Sequence, residues 1–264
     1  MQEGTLTKLA LITGASSGIG QALAARYYAA GYRLALIARR TAETQSWAIN
    51  HGMNVERFQV YSGDVAIADS IVAACRGCLE KQGLPDVVIA NAGISAGTLT
   101  ECAEDLEVFR RIMAVNVHGM AATFAPFIAV MRADEGGVGR KRLVGIASVA
   151  GIRGLPGAEA YSASKAAAIT YLESLRLEMR PHGIRVVTIA PGYIATPMTA
   201  INPYPMPFLL PADEAARRFA GAIERGSSYA VIPWQMGIVA KLLRLLPNWL
   251  YDRLFVGAPR KPRL

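Results

Sequence analysis

Tyr161 and Lys165 stand four residues apart in Tyr161-Ser162-Ala163-Ser164-Lys165, within a stretch patterned as a helix. Residues at i and i+4 share a helical face, roughly 5–6 Å apart at Cβ. An ammonium beside a phenol favours the phenolate, lowering a tyrosine pKa that starts at about 10. Such a tyrosine donates a proton to a carbonyl, or takes one from an alcohol, near neutral pH. Taken alone, the pair also fits an ordinary helix with an exposed lysine. Ser148 lies 13 residues before Tyr161 and closes an apolar run. Its hydroxyl could hydrogen-bond a substrate oxygen, or cap a turn. A nucleophilic role fits poorly, because no histidine is near in sequence and no G-x-S-x-G elbow surrounds it.

A second chemistry-bearing stretch is Thr13-Gly14-Ala15-Ser16-Ser17-Gly18-Ile19-Gly20. Glycines between a strand and a helix allow a tight turn, a close backbone approach to a pyrophosphate, and close helix–strand packing. The helix N-terminus then offers free N–H groups and the positive end of its dipole to phosphates. The spacing is G-x-x-x-G-x-G rather than G-x-G-x-x-G. An Asp or Glu about 20 residues past such glycines accepts from the ribose 2′-OH. Here the matching place reads Ala38-Arg39-Arg40. Two guanidiniums suit a 2′-phosphate, so NADP(H) is expected in preference to NAD(H). Both arginines could instead be solvated at a strand end.

The elements that must position these groups follow from the apolar runs. Strands are expected at 8–13, 33–38, 55–61, 86–91, 142–148, 184–190 and 229–232. Helices are expected at 18–30, 41–50, 66–82, 103–115, 117–132 and 158–180. Near-continuous apolar strands alternating with helices predict an α/β fold, a Rossmann-like, doubly wound parallel sheet. A chain of 264 residues without an internal linker reads as a single domain, since α/β folds often reach about 250 residues as one.

The residues quoted so far, with Asn91-Ala92-Gly93, Asn116 and Pro191-Gly192, occur in an order and spacing that resemble the short-chain dehydrogenase/reductase family over residues 6–200. The resemblance implies a parallel sheet of about seven strands and hydride transfer between a nicotinamide and a carbonyl or alcohol carbon. It implies Tyr161 as general acid/base, Lys165 lowering its pKa and holding the nicotinamide ribose, and Ser148 polarising the substrate oxygen. Asn116 would sit at a helix irregularity and hold a water in a proton relay. Gly14, Ser16, Ser17, Gly18, Ile19 and Gly20 would form the phosphate turn. Asp64, with Val65 beside it, would contact the adenine, and Asn91, Ala92 and Gly93 would line the adenine ribose. Pro191, Gly192, Ile194 and Thr196 would hold the carboxamide. A basic residue used by some NADP-binding members before the second glycine is Ser17 here, so the NADP(H) expectation rests on Arg39 and Arg40. The family resemblance also implies a homodimer or homotetramer and a small-molecule substrate.

Composition narrows the classes further. Hydrophobic residues make up 52% and charged residues 18%, which excludes a disordered or collagen-like chain. The net charge is +8. Between 231 and 264, six basic residues face one acidic residue, Asp252, so the basic character is largely a tail property and nucleic acid is not an expected partner. Three cysteines, Cys75, Cys78 and Cys102, make no disulfide framework. The Cys75-Arg76-Gly77-Cys78 pair reads as two small residues on one helix. His51, His118 and His182 are scattered, so no metal is expected. Residues 1–8 are polar, with no apolar segment before a cleavage site, and no membrane-spanning run is expected. A reducing cytoplasm is the default location. Residues 136–141, rich in glycine, read as a solvated loop.

The catalytic domain is expected to end at 232, with a substrate lid across 197–225 and an extension at 233–264. Asn202-Pro203-Tyr204-Pro205-Met206-Pro207-Phe208-Leu209-Leu210-Pro211 is a stiff apolar stretch that either predicts an apolar substrate such as an acyl chain or lipid or packs on its own core or a neighbouring subunit. Pro211-Ala212-Asp213-Glu214 then starts a helix with acid in its first turn. In the tail, Gly237, Lys241, Arg244, Asn248 and Asp252 form one narrow helical stripe beside a wide apolar face, and Pro247 should divide the helix. Such a segment could lie peripherally on the inner face of a membrane, cap the pocket, or pack on another subunit. By analogy, acyl-lipid and envelope-polysaccharide pathways fit. A dinucleotide-binding regulator without turnover is the alternative of another class.

Overall fold

Every residue of β1 (Leu9–Thr13) is buried, and its alternation explains the two layers around it. Ala10 and Ile12 face a core shared with Leu23 and Tyr27 of α1 (Gly18–Ala29) and Phe219 and Ile223 of α8 (Ala212–Arg225). Leu9 and Leu11 face the opposite core. There they meet Cys75 of α3 (Ala68–Gln82), Phe124 and Phe127 of α5 (Gly119–Ala133), and Leu172 of α6 (Glu159–Met179). A strand buried on both faces is apolar at every position, which is why its sequence shows no alternation. The computed structural model describes residues 7–134 and 139–263. The polar stretch 1–6, and Gly136, Gly137 and Val138 of the expected loop, lie outside them.

The remaining strands are β2 (Arg33–Ala38), β3 (Phe58–Ser62), β4 (Val87–Ala90), β5 (Arg142–Ile146), β6 (Arg185–Pro191) and β7 (Tyr229–Ile232). They form one seven-stranded sheet in the order β3-β2-β1-β4-β5-β6-β7, parallel throughout. The expected doubly wound α/β architecture is therefore the observed one. The chain leaves β1 towards β2 on one side and returns to β4 on the other. That reversal opens a crevice at the carboxyl ends of β1 and β4.

Several expectations are corrected. Residues Val55–Arg57 form a 3₁₀ turn rather than the start of a strand, because the Asn54 side chain accepts from the Glu56 N–H (2.9 Å) and tightens the backbone. The two helices expected around 103–132 are one continuous run. There α4 (Asp105–Met113) passes through a π-helical turn (Ala114–His118) into α5. That run of 29 residues is long and apolar enough to cross a membrane by length and composition, although no such segment was expected. Its apolar face instead fills the core, with Ile112, Phe124 and Phe127 fully buried. Within the span read as a substrate lid, Pro197, Met198 and Thr199 line the crevice, while residues 212–225 form α8, whose Phe219 and Ile223 pack beside α1 in the core.

Cys75 and Cys78 both sit in the apolar core, where burial pushes each thiol up to about 12. Pro247 does divide the tail, into α9 (Trp234–Leu245) and α10 (Asn248–Phe255). The remaining helices are α2 (Thr41–Asn50) and the short α7 (Pro197–Ala200).

Candidate active site

At the end of β1 the chain turns through Gly14, where φ is +68°. A Cβ there would stand 2.8 Å from the Ala92 Cα. Gly20 serves packing: a Cβ on it would overlap the Gly14 carbonyl, so only glycine lets α1 approach this closely. Ser17 precedes α1 without a side-chain hydrogen bond to it, so the first N–H groups of the helix keep their capacity for an anion. The turn opens onto a cavity of about 360 Å³.

Ser16, Ser17, Gly18 and Ile19 line this cavity with Gly14. Arg39 and Arg40 enter it from the end of β2, Asp64 and Val65 from β3, and Asn91, Ala92 and Gly93 from β4. Ser148, Tyr161 and Lys165 line its far end, with Pro191, Gly192, Ile194 and Thr196 beside them. Of the residues singled out from sequence, only Gly20 and Asn116 fall outside the lining.

Arg40 Nη2 donates to Ser16 Oγ (3.3 Å), and its Nη1 pairs with Glu43 at 3.1 Å. Arg39 approaches Asp64 at 3.8 Å. The two guanidiniums therefore flank the phosphate turn, although carboxylates are close. Asn91 ties β4 to β1: its Nδ2 donates to the Thr13 carbonyl (2.9 Å), and its N–H to Thr13 Oγ1 (3.1 Å). Uncapped helix N–H groups, glycines without room for a Cβ and two adjacent guanidiniums together fit a phosphorylated dinucleotide.

At the other end, Ser148 Oγ accepts from the Ala150 N–H (3.1 Å) and caps a 3₁₀ turn (Val149–Gly151). Capping and substrate contact are compatible, because the bond uses a lone pair and leaves the hydroxyl proton to donate. Lys165 Nζ donates to the Ile146 carbonyl (2.9 Å) and lies 5.7 Å from the Tyr161 ring centroid. Burial pushes the Lys165 pKa down to about 8. The Tyr161 hydroxyl is moved up by burial, and only the Ser148 hydroxyl pulls it back. This departs from the expected lowering by Lys165. The ammonium is held against a backbone carbonyl, and desolvation of the phenolate outweighs the rest.

Asn116 is buried in the π-helical turn. Its Oδ1 accepts from the Ile94 N–H (2.9 Å), and its Nδ2 donates to the Ile94 carbonyl (3.0 Å) and to Ser164 Oγ (3.0 Å). Ser164 Oγ donates in turn to the Tyr161 carbonyl (2.8 Å). Both amide hydrogens are committed to the protein, so the side chain braces the site from behind rather than facing it.

Sequence reasoning missed Arg111, Ile94 and Thr199 in the cavity wall. Thr199 had a legible signal. Thr196-Pro197-Met198-Thr199 opens a helix with proline at its first position, and the two threonines form a capping box. Arg111 had none, since only the packing of α4 brings it to the crevice.

A family model described as short chain dehydrogenase matches residues 8–203. An uncharacterized oxidoreductase of Myxococcus xanthus (strain DK1622) is 39% identical over 254 residues, covering 93% of this chain and 95% of its own. The structure of a 3-ketoacyl-(acyl-carrier-protein) reductase from Brucella melitensis, complexed with NADH, is 28% identical with a TM-score of 0.75. The match covers 86% of this chain and 98% of that one. An alcohol dehydrogenase from the archaeon Thermococcus sibiricus, complexed with 5-hydroxy-NADP, is 27% identical with a TM-score of 0.74 over 86% of this chain and 96% of its own.

Proposed function

This chain belongs to the short-chain dehydrogenase/reductase family, and we propose that it reduces a carbonyl, or oxidises the corresponding secondary alcohol, with NADP(H). The observation that carries this reading is the meeting of Ser148, Tyr161 and Lys165 at one end of the cavity whose other end is the N-terminus of α1. NADPH, held by the glycine turn, Arg39 and Arg40, would supply the hydride. Ser148 Oγ donates to the substrate oxygen and orients it. Tyr161 Oη gives that oxygen its proton as the carbon is reduced. Burial moves the pKa of this hydroxyl up, and the Ser148 hydroxyl opposes the shift. The Lys165 ammonium, 5.7 Å from the Tyr161 ring centroid, supplies the positive charge that offsets the phenolate left behind. Similar proteins have been seen with NADH and with an NADP derivative, so the cofactor preference rests on the two arginines.

Exposed Met198 in the cavity wall, with Ile201, Phe208 and Leu209 exposed in the segment that follows it, supports an apolar substrate. The family's oligomeric habit extends the reading to a homodimer or homotetramer. A second reading, that the enzyme works at a membrane surface, is favoured by the outer face of the tail. Trp234, Leu242, Leu245 and Trp249 are exposed there beside Lys241 and Arg244.

Tyr161→Phe tests the reaction. Turnover of a carbonyl panel should fall by about 10²-fold or more, while NADPH still binds by nicotinamide fluorescence. Unchanged turnover overturns the mechanism.

A further inference from the structure

We infer that Lys261 is an anion-binding subsite that selects substrates carrying a carboxylate, on an otherwise apolar body. The inference rests on the reading above, in which Tyr161 marks the reacting end. After α10 the chain returns to the segment that follows β4 and to the start of α4. The Gly97 N–H donates to the Pro262 carbonyl (2.8 Å). Arg263 Nε donates to Asp105 Oδ2 (2.8 Å), and its Nη2 to Glu104 Oε1 (2.7 Å). Asp105 is itself buried and also accepts from the Leu99 N–H (2.8 Å). Two glycines make room for this strap. A Cβ on Gly97 would overlap the Lys261 carbonyl, and one on Gly157 would stand 2.8 Å from the Arg260 side chain.

The strap holds Lys261 Nζ at 2.9 Å from Ser95 Oγ and 5.9 Å from the Tyr161 ring centroid. Lys261 is partly buried, and among the described residues no carboxylate pairs with it within 4 Å. Lys141, by contrast, is a buried lysine neutralised by carboxylates. It pairs with Asp134 at 3.2 Å and with Asp86 at 3.6 Å. Partial withdrawal of an ammonium from water with a hydroxyl and an aromatic face but no anion beside it carries a cost, and burial pushes its pKa down. A ligand anion beside Tyr161 would offset that cost.

The test is equilibrium binding to the full chain with NADPH present, by calorimetry. The probes are hexanoate, octanoate, decanoate and dodecanoate, each against its methyl ester. The wild type should bind at least one carboxylate on the order of tenfold more tightly than its ester, a typical gain from a hydrogen bond to a charged group. Lys261→Gln should bring that ratio close to one, and Lys261→Arg should retain it. No preference in the wild type overturns the inference, as does a preference that survives in Lys261→Gln. Equal weakening of acid and ester in Lys261→Gln assigns Lys261 a structural role and also overturns it, whereas Arg263→Ala, by loosening the strap that holds Lys261, should lower the ratio. The ratio needs no turnover, so a failure of the hydride-transfer reading in Tyr161→Phe is distinguishable from a failure here.

Discussion

Arg39 and Arg40, on which the proposed NADP(H) preference rests, are only loosely held. Their side chains are 60% and 55% exposed, and their partners Asp64 and Glu43 are 30% and 64% exposed. Exposed ion pairs of this kind contribute about 0–1 kcal/mol, so both guanidiniums can exchange partners for a phosphate at little cost. The double variant Arg39→Ala with Arg40→Ala should weaken NADPH on the order of ten- to a hundredfold more than NADH, since charge-assisted bonds to a phosphate are the strong ones. Nicotinamide fluorescence titrations read both constants. Equal losses would mean that the arginines face solvent. Tyr161 and Lys165 teach the complementary point. Their spacing placed both in one cavity, but the direction of the Tyr161 shift depends on desolvation, which a four-residue spacing does not encode.

The π-helical turn between α4 and α5 is an element whose irregularity has a use. By widening the backbone at Asn116 it lets one amide hold both polar groups of Ile94 and reach Ser164, which bonds the Tyr161 carbonyl. Asn116→Ala should therefore destabilise the fold by about 1–3 kcal/mol, the cost of leaving buried polar groups unpaired. Urea unfolding measures this, and a loss of only a few tenths would show that Ile94 finds other partners. The position was legible as a family motif. Its bracing geometry was not, because it joins the segment after β4, the π-helical turn and α6 across the interior.

The tail carries two helices with one buried and one exposed apolar face. Its inner positions Met236, Ala240 and Tyr251 are buried, and Arg153 stacks 3.9 Å from the centroid of the Tyr251 ring. Its outer positions include Leu245 at 79% and Trp249 at 69% exposure. An apolar face of this kind with interleaved cations fits an anionic lipid surface. Vesicles containing anionic lipid should pull the protein down in a flotation assay, with binding weakened by salt and by the double variant Trp234→Ser with Trp249→Ser. Salt-insensitive binding, or none, would leave the face to a second copy of the chain.

Sequence by itself determined the parallel sheet, the glycine turn and the tyrosine–lysine pair. Each depends on periodicity or on spacing within one element, and local geometry converts those directly into position. Only the tertiary structure decided that 212–225 belongs to the core, that Arg111 reaches the crevice and that Lys261 returns to Tyr161. The last contact joins residues a hundred positions apart. It depends on how Pro247, the two tail helices and the Arg263–Asp105 pair direct the chain. No local pattern carries that information, because it is a property of the packed surfaces between those segments.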